Sequence, residues 1–84
     1  GPNPLREKTT LTYTVPEQGD VTLEIFDVLG RRVQVLVNES KDAGTHHTTW
    51  NGTNRAGEGV ASGVYLGRLS FGGKTLTQTL VVVK

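Results

Sequence analysis

The sequence predicts an all-β protein, a β-sandwich folded as one domain over residues 1–84. Apolar residues recur at every second position in several short stretches, which is the period of a half-buried strand. Gly- and Pro-containing turn segments separate these stretches at the spacing typical of sandwiches, which gives about six or seven strands. Helical periodicity of useful length is absent from the chain. At 84 residues the chain has the length of a single domain.

Two strands are predicted before residue 30. Threonines alternate with apolar residues over residues 10–15, and Pro16 ends this strand. Residues 21–25 alternate in the same way, and the apolar set then moves to the opposite face, which predicts a bulge or a half-covered end in this strand. Residues 27–30 predict a turn, with Gly30 at its end.

The middle of the chain predicts two further strands. Residues 33–37 alternate except at Leu36, which indicates a strand covered on both sides near its end. The polar residues 38–44 predict a loop that ends in Ala-Gly. Residues 45–50 predict the next strand, which closes with the single Trp of the chain.

The last third of the chain predicts a long loop and a hairpin. Residues 51–62 are polar and rich in Gly, and residues 64–69 predict a strand. Gly72-Gly73 is a strong two-residue hairpin signal, and residues 74–83 form the last predicted strand. One face of that strand carries Leu76, Leu80 and Val82, and the other carries Thr75, Thr77 and Thr79.

Trp50 is the first candidate for a structural role. Its place at the end of an alternating strand predicts a core anchor, and a sugar-stacking platform is the alternative. The glycines at strand ends are interpreted as turn residues and not as a phosphate-binding loop, since no strand–loop–helix unit accompanies them. The turn glycines that we interpret as structural include Gly30, Gly44 and Gly52.

The composition argues for a binding or structural role and not for an enzyme. Nine basic and eight acidic residues are scattered along the chain, so no stripe for a nucleic acid is predicted. There is no Cys, and adjacent His46 and His47 point to opposite faces of a strand, so neither a metal nor another cofactor is predicted. Asn51, Asn54 and Glu58 allow a calcium site, but hydrogen bonds to their own loop backbone are the favoured interpretation.

Several motifs in order resemble a known family. They are Asn3-Pro4-Leu5, Thr9 to Tyr13 with Pro16, Val21 to Arg31, Ala43 to His46, the Trp50 loop, Ser62 to Tyr65 and the apolar strand that ends in Lys84. The pattern resembles the type A C-terminal sorting domain of the type IX secretion system of Bacteroidota. It is also closely similar to the Ig-like domain of the flagellar hook-capping scaffold protein.

The resemblance implies an Ig-like sandwich of about seven antiparallel strands. The residues themselves, Gly1-Pro2 and Pro2-Asn3-Pro4, indicate that residues 1–4 are a linker or an expression remnant. The resemblance also implies a sorting signal for an N-terminal passenger, an enzyme or adhesin. The outer-membrane secretion translocon would recognise this signal, and a sortase-like peptidase would then act on it, which places the passenger outside the cell or on its surface. The residues that the resemblance assigns to recognition are Gly63, Tyr65, Lys74, Leu80, Val81, Val82, Val83 and Lys84.

Two other functions stay open at this point. The hook-cap relative shares the Trp loop and the Gly-x-Tyr element, so an accessory module for structure or assembly is the first alternative. A carbohydrate-binding module is the second, and it requires Trp50 or Tyr65 to be exposed to solvent.

Overall fold

The computed structural model describes residues 8–84, which form two facing antiparallel sheets. One sheet pairs β1 with β4, and the other has the order β3-β2-β5-β6. The predicted all-β sandwich is confirmed. The strands are β1 (Thr9–Val15), β2 (Gly19–Asp27), β3 (Arg32–Lys41), β4 (Gly44–Trp50), β5 (Gly63–Phe71) and β6 (Lys74–Val82).

Residues 8–84 contain six strands and not about seven. Between Trp50 and Gly63 the backbone forms only an isolated bridge, from Thr53 to Gly59, so this long segment adds no strand. The linker expected at residues 1–4 lies outside the residues that the structure describes.

The core lies between the two sheets and is built from the alternating apolar residues. The inward side chains of β2 are the best covered, with Val21, Leu23 and Ile25 between 0% and 3% exposed. Full burial of such a side chain contributes about 1.5–3 kcal/mol to folding. The other buried apolar residues are Leu11, Tyr13, Val15, Val37, Trp50, Tyr65, Leu69 and Leu80.

The irregularity predicted in β2 lies in β3 instead. Leu23 pairs with Val37 while Glu24 pairs with Val35, so Leu36 is an extra residue in β3. A second register shift leaves Val33 without a partner in the same way. Each extra residue bends the strand, and both of these side chains pack against the core. Leu36 therefore breaks the alternation because of a bulge and not because both faces are covered.

Residues 38–44 do not form the predicted loop, and most of them belong to a strand. β3 continues to Lys41, and residues 38–41 pair in register with residues 19–22 of β2. Only residues 42 and 43 connect β3 to β4. These polar residues form a strand through backbone hydrogen bonds to β2, which need no apolar side chains. The apolar period therefore gave no signal for this part of β3.

The hairpin between β5 and β6 is confirmed. Gly72 and Gly73 both have positive φ, 53° and 77°, which matches the type I′ turn that joins two-residue hairpins. Beyond this turn, the apolar face of β6 is only partly covered. Leu80 is 4% exposed, whereas Leu76 on the same face is 56% exposed.

Candidate interaction surface

Trp50 anchors the loop that follows it. Its side chain is 1% exposed, and the indole Nε1–H donates to the Thr53 carbonyl oxygen at 2.9 Å. Its ring meets the Tyr65 ring edge-on, with 5.3 Å between centroids. The predicted burial of Trp50 in the core is confirmed. Neither ring is a sugar-stacking platform, because Tyr65 is also buried, at 8% exposure.

The polar side chains of the loop are used by the loop itself. The Asn54 side-chain oxygen accepts hydrogen bonds from the backbone N–H groups of Ala56 and Glu58, both at 3.0 Å. Asn51 Oδ1 accepts from the Thr53 hydroxyl at 2.6 Å. Asn54 therefore bonds the loop backbone, as the favoured interpretation expects, whereas Asn51 bonds a side chain of the same loop. Gly52 turns the chain after Trp50 with a φ of +73°, a conformation that favours glycine.

The same loop covers the outer edge of β3. The side-chain amide of Gln34 donates to the carbonyl oxygens of Thr53 and Asn54, at 3.2 and 2.9 Å. The Arg55 backbone N–H donates to the Val33 carbonyl oxygen at 3.1 Å. The loop therefore bonds one backbone group of this edge strand, the Val33 carbonyl oxygen, and the side chain of Gln34.

Most of the residues that the resemblance assigns to recognition meet at one end of the larger sheet. Gly63 pairs with Val82, and Tyr65 pairs with Leu80. Both Tyr65 and Leu80 are buried, so these two side chains contribute to the core and are not accessible to a receptor. The Tyr65 hydroxyl donates to the Ala61 carbonyl oxygen at 2.7 Å.

Three accessible members of that set, Val81, Val83 and Lys84, lie at or just beyond the end of β6. Val81 and Val83 are each 62% exposed. The Lys84 backbone N–H donates to the Ser62 hydroxyl at 3.1 Å, which holds the strand end against the start of β5. Lys74 lies at the opposite end of β6, beside the hairpin turn, and is not part of this group.

β6 is the outer strand of its sheet, with β5 as its one partner among residues 8–84. Residues 75–83 include no charged residue, no Gly and no Pro. Natural edge strands commonly carry such residues, or a bulge, because they prevent pairing with another chain. The backbone edge of β6 is therefore open to a further strand.

A cleft of about 360 Å³ lies between the edges of β1 and β6. Its floor includes Gly67, where a methyl group would lie 3.2 Å from the Leu11 side chain. Sequence reasoning missed this cleft, and the signal for it was Gly67, a glycine at an inward position within a strand. The residues that line it are Leu11, Thr12, Tyr13, Thr14, Leu23, Gly67, Leu69, Leu76, Thr77 and Gln78.

The shortest ion pair among residues 8–84 lies in the turn between β2 and β3. Asp27 Oδ1 accepts from the backbone N–H of Leu29 and of Arg31, and Oδ2 pairs with Arg31 Nε at 2.7 Å. The hydrogen bond from the Arg31 backbone is the largest of the effects that lower the pKa of Asp27. This carboxylate therefore caps a turn.

The two histidines lie on opposite faces of β4, as predicted. His46 stacks on Tyr13 and donates from Nε2 to the Asp42 carbonyl oxygen at 2.8 Å. His47 forms a hydrogen bond with the Thr12 hydroxyl at 2.9 Å. Among residues 8–84, His, Cys, Asp and Glu side chains nowhere form a group of three or more that is suited to a metal ion. The described part of the chain also has no helix of the length and apolarity needed to span a membrane.

Comparisons with known proteins agree with this architecture. No curated protein matches the sequence. The crystal structure of FlgD from P. aeruginosa superposes with a TM-score of 0.67 at 22% sequence identity, which shows a shared fold. The match covers 95% of this chain and 63% of that protein, so the chain spans less than two thirds of it. The family model described as the FlgD Ig-like domain matches residues 5–70, and the chain therefore belongs to the family of FlgD Ig-like domains.

Proposed function

We propose that this chain is a non-catalytic Ig-like module that joins protein parts in an assembly, similar in role to the Ig-like domain of a hook-capping scaffold. Membership of the FlgD Ig-like family over residues 5–70 carries this proposal. A domain of this kind acts through its outer surface and not through an enclosed active site.

The geometry of the polar groups supports the same role. The loop side chains bind their own backbone, and Asp27 and Glu24 are paired with Arg31 and Arg32 at 2.7 and 3.1 Å. Groups engaged in this way hold the fold in place. The exposed surface includes the outer edge of β6, where residues 75–83 carry no charge.

The test removes residues 5–84 from the gene product in the producing organism and measures two quantities. One is the mass of the native complex that the product forms, and the other is the amount of product exported. We expect the complex to be lost while export is unchanged. An intact complex would contradict the proposal. Loss of export would favour the second candidate.

A sorting signal of the type IX secretion system is the second candidate. The exposure of Val81 and Val83 beside the open edge of β6 favours it, because a receptor can reach both. Under this proposal the partners are the outer-membrane translocon, a sortase-like peptidase and an N-terminal passenger. The passenger would reach the cell surface.

A reporter fused ahead of the chain tests the second candidate. Val81→Asp combined with Val83→Asp changes only exposed side chains and leaves the buried Leu80 in place. We expect the doubly substituted signal to leave the reporter inside the cell. The matched control is Val28→Asp with Leu29→Asp, whose side chains are similarly exposed at 67% and 75% in a turn. Equal export from both variants would rule out recognition at the end of β6.

A further inference from the structure

We propose that the cleft between β1 and β6 binds an extended, uncharged strand of a partner protein, which pairs with β6 and inserts alternate apolar side chains between the sheets. This inference rests on the proposed function, since it names the kind of partner that the module holds. The cleft and the open edge of β6 are separate observations, and they coincide in space.

The lining of the cleft shows that it runs along strand edges. Residues 11–14 of β1 and residues 76–78 of β6 line it as consecutive stretches. Consecutive strand residues point to opposite faces. A cleft that contacts all of them therefore follows the backbone edge of each strand. Such an edge offers unpaired N–H and C=O groups, which a β-strand satisfies.

The two edge strands of the larger sheet, β3 and β6, differ in charge, regularity and covering. β3 carries Arg32, Glu39 and Lys41, two register shifts and a covering loop. Each of these features prevents a further strand from pairing there. Residues 75–83 of β6 have no charge and no Gly or Pro, and the pairing of β6 with β5 has no register shift. Pairing is thus blocked at one edge and available at the other.

The chemistry of the cleft defines its occupant. Its side chains are aliphatic, aromatic, threonine or glutamine, and none is charged. Leu76 is 56% exposed on the inner face of β6, so an inserted apolar side chain would cover it. A charged side chain would be buried there without a partner of opposite charge, which makes the free energy of binding less favourable. The occupant is therefore a strand with apolar residues at every second position.

A second copy of this chain fits the cleft less well. In β6 of such a copy, the inward side chains of Leu80 and Val82 already pack in their own core. They cannot also enter the cleft of a neighbour. The inward side chains of a strand from another protein are not already packed in a core, so they can enter the cleft.

The first experiment uses a synthetic peptide in which Val alternates with Thr between flanking lysines. NMR titration of the 84-residue chain is expected to show slower hydrogen exchange in residues 75–79 and shifted methyl signals of Leu11 and Leu76. A control peptide of the same composition, with its Val and Thr residues in separate blocks, is expected not to bind. Absence of binding by the alternating peptide up to its solubility limit would overturn the proposal. Changes confined to β3 would do the same.

Substitutions then separate insertion into the cleft from simple edge pairing. Leu76→Lys and Gln78→Lys each place a charge at the cleft, and we expect about tenfold weaker binding or more, because the ammonium group would be buried unpaired. Thr79→Lys is the matched control, since it puts the same charge on the outer face of the same strand, away from the cleft. Thermal melts establish that all three variants fold.

Three outcomes contradict the proposal. Unchanged affinity after both cleft substitutions would show that side chains do not enter. If sedimentation shows self-association of the chain and Leu76→Lys abolishes it, the edge of β6 binds a second copy and not another protein. If removal of the domain breaks the native complex but Leu76→Lys in the intact product does not, the assembly role stands and the cleft is not its binding site.

Discussion

Trp50 connects three parts of the molecule through one side chain. Its ring lies in the core against Tyr65, and its N–H group holds the loop at Thr53. The Thr53 carbonyl oxygen also accepts from Gln34 on β3. Loss of this side chain would therefore leave a core cavity and remove one of the two donors to that oxygen.

Trp50→Ala is expected to lower the free energy of unfolding by on the order of 3–5 kcal/mol, the range for truncating a large buried aromatic residue. Urea denaturation measures this change. Leu29→Ala is the control, because that side chain is 75% exposed in a turn. Its effect should stay within about 0.5 kcal/mol. Similar losses in the two variants would contradict a core role for Trp50.

Asp27 predicts a pH dependence of stability at the residue scale. Its pKa in the folded protein lies below the ordinary value of 3.8, chiefly because the Arg31 backbone N–H donates to it. The unfolded chain therefore binds more protons near that pH. The contribution of Asp27 is fully present above its unfolded pKa and is lost as the pH falls through its folded pKa.

Thermal melts of the wild-type chain and of Asp27→Asn across acidic pH test this prediction. The amide retains one oxygen acceptor but cannot form the ion pair with Arg31 at 2.7 Å. The wild-type chain should have the higher Tm near neutral pH, and the difference should shrink below about pH 4. A difference that does not change with pH would exclude ionisation of Asp27 as its cause.

At the scale of elements, the hairpin between β5 and β6 depends on its two glycines. Gly73→Val places a β-branched residue at a φ of +77° and is expected to cost about 1–2 kcal/mol. Gly72→Asn produces the Asn-Gly pair that type I′ turns prefer, so it should be neutral or slightly stabilising. Chemical denaturation of both variants measures the contrast. Equal costs would contradict the assignment of a type I′ turn.

The strands at the two edges of the larger sheet also differ as elements. β3 is bent by its extra residues and tied to the loop at Val33 and Gln34. β6 is regular, and its first half lies beyond the covered part of the core, as the exposed Leu76 shows. This difference follows from which strand the loop contacts, and it makes β6 the edge at which we place the binding strand.

For the whole molecule, this arrangement predicts an order of local stability. β2 and β5 are central in their sheet and supply five buried core residues, which are Val21, Leu23, Ile25, Tyr65 and Leu69. The amides that bond β2 to β5 should exchange only with global unfolding. Residues 75–79 of β6 should exchange through local openings of lower free energy. Native-state hydrogen exchange measures both, and uniform protection across β5 and β6 would contradict this order.

Local patterns in the sequence predicted the structure correctly where the contacts that form it join residues close in the chain. Alternation identified β1 and the inward face of β2, and Gly72-Gly73 identified the hairpin. Asn54 was interpreted correctly because its side chain bonds to residues only two and four positions away. For the interaction surface, the sequence suggested the end of β6, whereas its one signal for the cleft, Gly67 inside a strand, was not recognised.

The sequence by itself determined the sandwich class, the inward residues of most strands and the burial of Trp50, because a two-residue apolar period shows which side of a strand faces the core. Only the tertiary structure decided that residues 38–41 form a strand, that the extra residues lie in β3 and that β6 is an open edge beside a cleft. The physical reason is that these features depend on which strands pair and how far each sheet covers the other. Pairing and coverage join residues far apart in the chain, and no local period records them.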